Sequence, residues 1–121
     1  MQFDIQAQGF TLTDGLREHA ERRMEFALDW ARHEVSRVVV RFSDINGPRG
    51  GNDKRCQVRI PIPRMRDVVV EDLSADLYLA MDRAIERAAR TLERRLARQR
   101  EFGPALARGD LFRDPDEHAG K

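Results

Sequence analysis

A single cysteine in 121 residues excludes an intramolecular disulfide framework and a thiolate metal cluster. No apolar run approaches the roughly 20 residues a bilayer requires. With 36% of residues charged and a mean hydropathy of -0.65, no membrane partner is expected. Net charge is equally scarce, since 22 basic and 21 acidic residues leave only +1, so any charged surface must come from how the charges are distributed. The N-terminal MQFDIQAQ has neither a basic leader nor an apolar stretch, which makes the cytoplasm the expected compartment.

What remains is enough for one core. The hydrophobic content of 40% suits a single domain of this length. All but two of the basic residues are arginine, whose planar fork binds phosphate bidentately and stacks on bases. A GC-rich genome would also favour arginine over lysine, but it would not decide where on a helix the arginines fall.

Apolar Phe3, Ile5 and Ala7 alternate with Gln2, Asp4, Gln6 and Gln8, the period-two signature of a half-buried strand. Gly9 breaks it. Thr13 is placed to cap a helix running to about His33 on the apolar positions Leu16, Ala20, Met24, Ala27, Leu28 and Ala31. Val35 to Ser43 reads as a second strand, with Val38, Val40 and Phe42 on one face and Arg37, Val39 and Arg41 on the other. The Gly- and Pro-dense stretch from Asp44 to Lys54 predicts a long hairpin loop. A third strand carries Cys56, Val58, Ile60 and Ile62 on its apolar face and ends at Pro61 and Pro63. A short turn leads to a fourth, Val68 to Glu71, and Ser74 is placed to cap a helix from about Ala75 to Glu101 that Gly103 and Pro104 stop. The expected fold class is α+β: βαβββα, one four-stranded mixed sheet with both helices on the same face, the first two strands parallel. Residues 1–102 form the domain, and 103–121 read as a flexible acidic tail with little to order it.

The last helix carries the chemistry. Projected at about 100° per residue, Leu77, Met81, Ile85, Ala88, Leu92 and Leu96 share one side. Arg83, Arg87, Arg90, Arg94 and Arg98 share the opposite one, with Asp82, Glu86 and Glu93 on a flank. Like charges three or four residues apart repel by a few tenths of a kcal/mol per pair, a cost that a polyanion removes. The arginines therefore form a track suited to a phosphate backbone. A solvated face relieved by Glu86 and Glu93, with cations drawn to the helix C-terminus by its dipole, is the plainer alternative.

Glu71-Asp72, then Asp76-Leu77-Tyr78-Leu79-Ala80-Met81-Asp82, followed by Arg87, Arg90, Leu92, Arg94 and Arg98, resembles the last helix of the ribosome hibernation-promoting factor and ribosome-associated translation inhibitor family. The opening strand followed by Gly-Phe-Thr-Leu-Thr-Asp-Gly-Leu-Arg is similar to that family's first strand and helix. The resemblance extends from residue 1 to about 102 and implies the same βαβββα fold. It implies a non-enzymatic protein that needs no cofactor, binds the small ribosomal subunit in the channel of messenger and transfer RNA, blocks initiation, and preserves idle ribosomes during stress. Arg87, Arg90, Arg94 and Arg98 match the basic residues that would contact ribosomal RNA, and Tyr78 and Asp82 match the helix-start signature. Arg83 joins them on geometry alone. The hairpin loop is longer and richer in glycine than in compact members, and arginines replace the usual lysines, as in a divergent branch. The tail does not match the separate dimerisation domain of the family's long form, so a short form, monomeric off the ribosome and without a DNA partner, is expected.

Arg49, Lys54 and Arg55 could extend the RNA-binding patch, although a hairpin of solvated charges is the plainer reading. The Gly-Pro-Arg-Gly-Gly loop lacks the order of a phosphate-cradling motif and opens no helix. His19, His33, His118 and Cys56 share no metal-ligand spacing, and Cys56 reads as a core thiol. Phe26 and Trp30 lie at the edge of the first helix's apolar stripe and are expected to pack rather than stack on bases. No catalytic set stands out. Two other functions remain open: a protein-interaction module whose basic helix meets an acidic partner, and a general binder of structured RNA.

Overall fold

Period-two alternation becomes a single four-stranded sheet in the computed structural model, which describes residues 1–45 and 53–107, with side chains to residue 100. The elements in chain order are β1 (Gln2–Gln8), α1 (Asp14–Leu28) continued by a 3-10 turn over Asp29–Ala31, β2 (Arg37–Asp44), β3 (Lys54–Ile62), β4 (Met65–Ser74) and α2 (Leu77–Ala107). The sheet order is β1-β2-β3-β4. β1 pairs with β2 in parallel, Ile5 opposite Val40, whereas β2–β3 and β3–β4 are antiparallel. This is the expected βαβββα arrangement. The chain divides into two compact units, Met1–Ala89 and Arg90–Lys121, and the sheet and α1 belong to the first.

Within that first unit the strands bury one face only. Val38, Val40, Phe42, Cys56, Val58, Ile60 and Val68 are fully buried, while Arg37, Arg41, Arg59 and Val69, on the other side of the same strands, are exposed. The buried face is covered by Leu16, Ala20, Met24 and Leu28 of α1 and by Ala80, Met81, Ala84, Ile85 and Ala88 of α2. Burying each of the Leu, Ile and Met side chains contributes about 1.5–3 kcal/mol, so the two helix stripes are what hold the sheet's inner face dry. In the second unit Leu92 and Leu96 are buried and Glu93, Arg94 and Arg100 exposed.

The ends of the elements show the local chemistry. Thr13 caps α1 as expected, its hydroxyl accepting from Leu16 N–H at 3.1 Å. The cap of α2 is corrected: Asp76, not Ser74, holds it. Asp76 Oδ1 accepts from Tyr78 N–H at 3.0 Å and its carbonyl from Ala80 N–H. Ser74 is still in β4, paired with Lys54, and its hydroxyl accepts from Asp76 N–H. Both residue types suit a cap, and strand pairing decides between them. α2 also continues to Ala107 rather than ending at Gly103-Pro104. A proline there removes one backbone bond, but the Ala105, Leu106 and Ala107 that follow are strong helix formers. β4 is longer than expected at both ends. Its two-residue turn from β3 uses Pro63, which presets the first corner, and Arg64 at φ 68, a left-handed position that glycine would adopt with less strain. The tip of the β2–β3 hairpin, Arg49 included, and the segment from 108 onward lie outside the described residues.

Cys56 sits in the centre of the buried face, and burial, reinforced by the charges of Asp72 and Asp82, pushes its thiol up to about 12 from 9.0. The neutral thiol is the form the fold favours. Its contribution to stability is complete below pH 9.0 and is lost as pH rises from there towards about 12. Reaction of Cys56 with a thiol-specific disulfide reagent at neutral pH should therefore proceed only as fast as the protein unfolds. Immediate labelling in native buffer would contradict this packing.

Candidate nucleic-acid interface

Two carboxylates organise the polar side chains at the margins of the first unit. Asp72 lies opposite Cys56 in the β3–β4 ladder, on the covered face, with its side chain only 14% exposed. α2 brings two arginines to it. Arg83 Nε donates to Asp72 Oδ2 at 2.7 Å, and Arg83 Nη2 donates to the Leu73 carbonyl at 3.1 Å. Arg87 Nη2 donates to the Glu71 carbonyl at 2.9 Å, with Nη1 at 3.9 Å from Asp72. Both arginine side chains are still 46% exposed, and Arg83 uses two of its five donors in these contacts.

Asp82 does the corresponding work between α1 and α2. Its Oδ1 accepts from His19 Nε2 at 3.3 Å and lies 3.2 Å from Arg23 Nε. Tyr78, one turn earlier, meets the His19 ring edge-on at 4.9 Å. The helix-start signature therefore joins two helices, a positioning role. Sequence reasoning missed His19 and Arg23 here, and only their shared helical spacing on α1 could have pointed to them.

The remaining arginines of α2 belong to the second unit. Arg90 and Arg94 are exposed, and Arg98 is half-buried. Arg90 and Arg98 are engaged by other groups, whereas Arg94 forms no ion pair among the described residues. Arg95, which sequence reasoning passed over, is buried. Its projected angle, between Ala84 and Ala88, already places it on the buried side.

The other candidate residues do not join this group. Lys54 is drawn inward, its Nζ donating to Asp44 and to the buried Asp53, each at 3.2 Å. Those hydrogen bonds raise its affinity for the proton above the ordinary lysine value. Arg55 lies on the uncovered sheet face, donating to Ser43 and 3.9 Å from Glu71. Arginines of that face are matched across strands, Arg37 with Asp4 at 2.8 Å and Arg59 with Asp67 at 3.4 Å. The hydrogen bond from Arg37 holds the Asp4 carboxyl below its ordinary value.

Phe26 and Trp30, expected to pack, are exposed instead, at 81% and 47%. The buried stripe of α1 is confined to Leu16, Ala20, Met24 and Leu28, and both rings fall outside it. Among the described residues no group of three or more His, Cys, Asp or Glu side chains is placed to hold a metal, and no helix is long and apolar enough to cross a membrane.

A mixed sheet in βαβββα order, with two helices on one face and an arginine-rich final helix, defines a small α+β domain. Residues 3–100 match the family model described as sigma 54 modulation protein / S30EA ribosomal protein; the chain belongs to this family, that of the hibernation-promoting factors. The fold is similar to that of a ribosomal subunit interface protein from Coxiella burnetii, with a TM-score of 0.68 and 22% identity over 80% of this chain and 99% of that one. It is also similar to the N-terminal domain of Protein Y from Thermus thermophilus, with a TM-score of 0.64 and 24% identity over 78% of this chain and 98% of that one. No curated protein matches the sequence.

Asp72 is the test of this arrangement. Hydrogen bonds to charged groups contribute about 1.5–3 kcal/mol, so Asp72→Ala should lower the stability measured by urea unfolding by about that much. A change below about 0.5 kcal/mol, the usual size for an unremarkable surface position, would show that the arginines need no anchor.

Proposed function

We propose that this protein binds the small ribosomal subunit and holds ribosomes inactive, with Arg83, Arg87, Arg90, Arg94 and Arg98 of α2 contacting ribosomal RNA. The observation that carries this reading is the family match over residues 3–100, together with arginines at three- and four-residue intervals along α2, four of the five exposed. The name of the Coxiella relative points to the interface between subunits as the place of binding. Such a ligand is read through phosphate charge and groove shape rather than base identity. No chemical step is assigned to the protein, and the cytoplasm is where it would act.

The roles within the arginine group differ. Arg83 and Arg87 are held by Asp72 and by β4 carbonyls, which fixes their guanidinium groups before any ligand arrives and reduces the entropy lost on binding. Arg94, without an ion pair among the described residues, offers its whole charge. Arg49, Lys54 and Arg55 are secondary: Lys54 is committed to two carboxylates and Arg55 faces Glu71.

Co-sedimentation with purified small subunits tests the proposal. Wild-type protein should travel with the subunits, and Arg87→Glu, Arg90→Glu, Arg94→Glu and Arg98→Glu combined should abolish this. Affinity should also fall with salt, by roughly 0.7–0.9 logarithmic units per phosphate contact per decade of concentration. Unchanged sedimentation of the reversed-charge variant would overturn the assignment. Equal affinity for unrelated structured RNA would favour a general RNA binder, and binding that survives ribonuclease would favour an acidic protein partner.

A further inference from the structure

Phe26 is the most exposed large apolar side chain among the described residues, at 81%. It stands one helical turn before Trp30, itself 47% exposed. Trp30 is held in place, its indole N–H donating to the Ala27 carbonyl at 2.7 Å, so its ring is fixed with the hydrogen-bonding edge satisfied and the face left over. Charge around the pair is not random. At about 100° per residue, His19, Arg22 and Arg23 lie within about 60° of Phe26 on α1, while Asp14, Glu18, Glu21 and Glu25 project elsewhere; Trp30 follows in the 3-10 turn, and His19 and Arg23 are already paired with Asp82. Asp29, at the margin, is paired with Arg32 at 3.2 Å. Arg22 is exposed and forms no ion pair among the described residues.

We propose that Phe26 and Trp30 form a stacking platform for unpaired nucleobases, with Arg22 supplying charge to the adjoining phosphate. This rests on the ribosome-binding reading and adds a second kind of contact on a different helix. A protein partner needs a contiguous patch of about 800 Å² whose centre is depleted of charge. Here the rings have Arg22 and Arg23 on the same side of the helix and the Asp29–Arg32 pair at the margin, a poor centre for such a patch. A nucleobase needs only one ring face and tolerates, or welcomes, guanidinium groups beside it. Arginine with interleaved aromatics is the combination that single-stranded RNA loops present a use for, and exposure of this size is otherwise a solubility cost with no return in folding.

Because Phe26 is outside the core, its variants should fold as wild type does, and the melting temperature verifies this. In equilibrium binding to purified small ribosomal subunits, Phe26→Ala should weaken affinity about five- to a hundredfold, the effect of losing one base–aromatic stack. Phe26→Leu should be as weak, since it keeps the apolar surface and loses the π face, whereas Phe26→Tyr should bind like wild type. Trp30 is the only tryptophan, so its fluorescence reports on this site alone. An oligouridylate of about ten nucleotides should quench it in wild type and much less in Phe26→Ala. Normal subunit binding by both Phe26→Ala and Phe26→Leu would overturn the platform while leaving ribosome binding intact. If wild type fails to bind subunits, the ribosome-binding reading fails, and the oligouridylate titration still decides the platform: no quenching overturns it. Sedimentation equilibrium showing a dimer that Phe26→Ala dissolves would overturn it in favour of a second copy as the occupant.

Discussion

One-sided burial of the sheet governs where every charge in the first unit can go. Val38, Val40, Phe42, Cys56, Val58, Ile60 and Val68 are removed from water altogether, and an isolated carboxylate or guanidinium among them would cost far more than any single contact could return. Charged side chains are thereby kept to the uncovered sheet face, the backs of the helices and paired positions at the margins, Asp72 with α2, Asp82 between the helices and the buried Asp53 with Lys54. On the sheet face, strand spacing brings opposite charges together diagonally across neighbouring strands, as in Arg37 with Asp4 and Arg59 with Asp67. Exposed pairs of this kind contribute little to stability, but they offset the charge of those arginines. On α2 the interval between arginines is that of the helix itself, and β4 offers them one carboxylate, Asp72, which Arg83 and Arg87 share. A net charge of +1 is therefore compatible with a local excess of positive charge.

Asp72 shows how one residue can serve folding and still leave arginine edges exposed. Half-exposed arginines that held only solvent would sample many rotamers, and fixing them on a ligand would cost about 0.5–1.5 kcal/mol each. Contacts from Asp72 and from the Glu71 and Leu73 carbonyls impose that order in advance. The cost is partial neutralisation of Arg83 and Arg87. Two effects then oppose each other, preorganisation against weakened charge, and the 46% exposure of both side chains leaves guanidinium edges available, which favours the first.

Strands and helix order were legible because they rest on periodicity, which a covered sheet face enforces residue by residue. Ser74 was misplaced as a cap because Ser and Asp are interchangeable by type, and only the pairing of Ser74 with Lys54 takes it into the strand. Of the site, the helical spacing of the arginines on α2 was legible. Their unequal engagement was not, since Asp72 reaches Arg83 from a different element and no local pattern announces that. Lys54 looked like an open cation for the same reason, with Asp53 beside it and Asp44 across the hairpin. The reading of Phe26 failed differently. Projection places it at the edge of the apolar stripe, where the general tendency of aromatics to be buried and the geometry of this helix point in opposite directions, and the geometry decides.

That failure bears on the choice between partners. An acidic protein surface would satisfy the arginines of α2 and give the rings of Phe26 and Trp30 nothing specific to do. An apolar protein groove would take the rings and strand the guanidinium groups, whose desolvation would then oppose binding. Structured RNA presents both phosphates and unpaired bases on one molecule, and the two requirements are met by one chemistry. On the proposed function, the exposed ring and the arginine ridge are then explained by the same ligand. Each alternative leaves one of them without a cause.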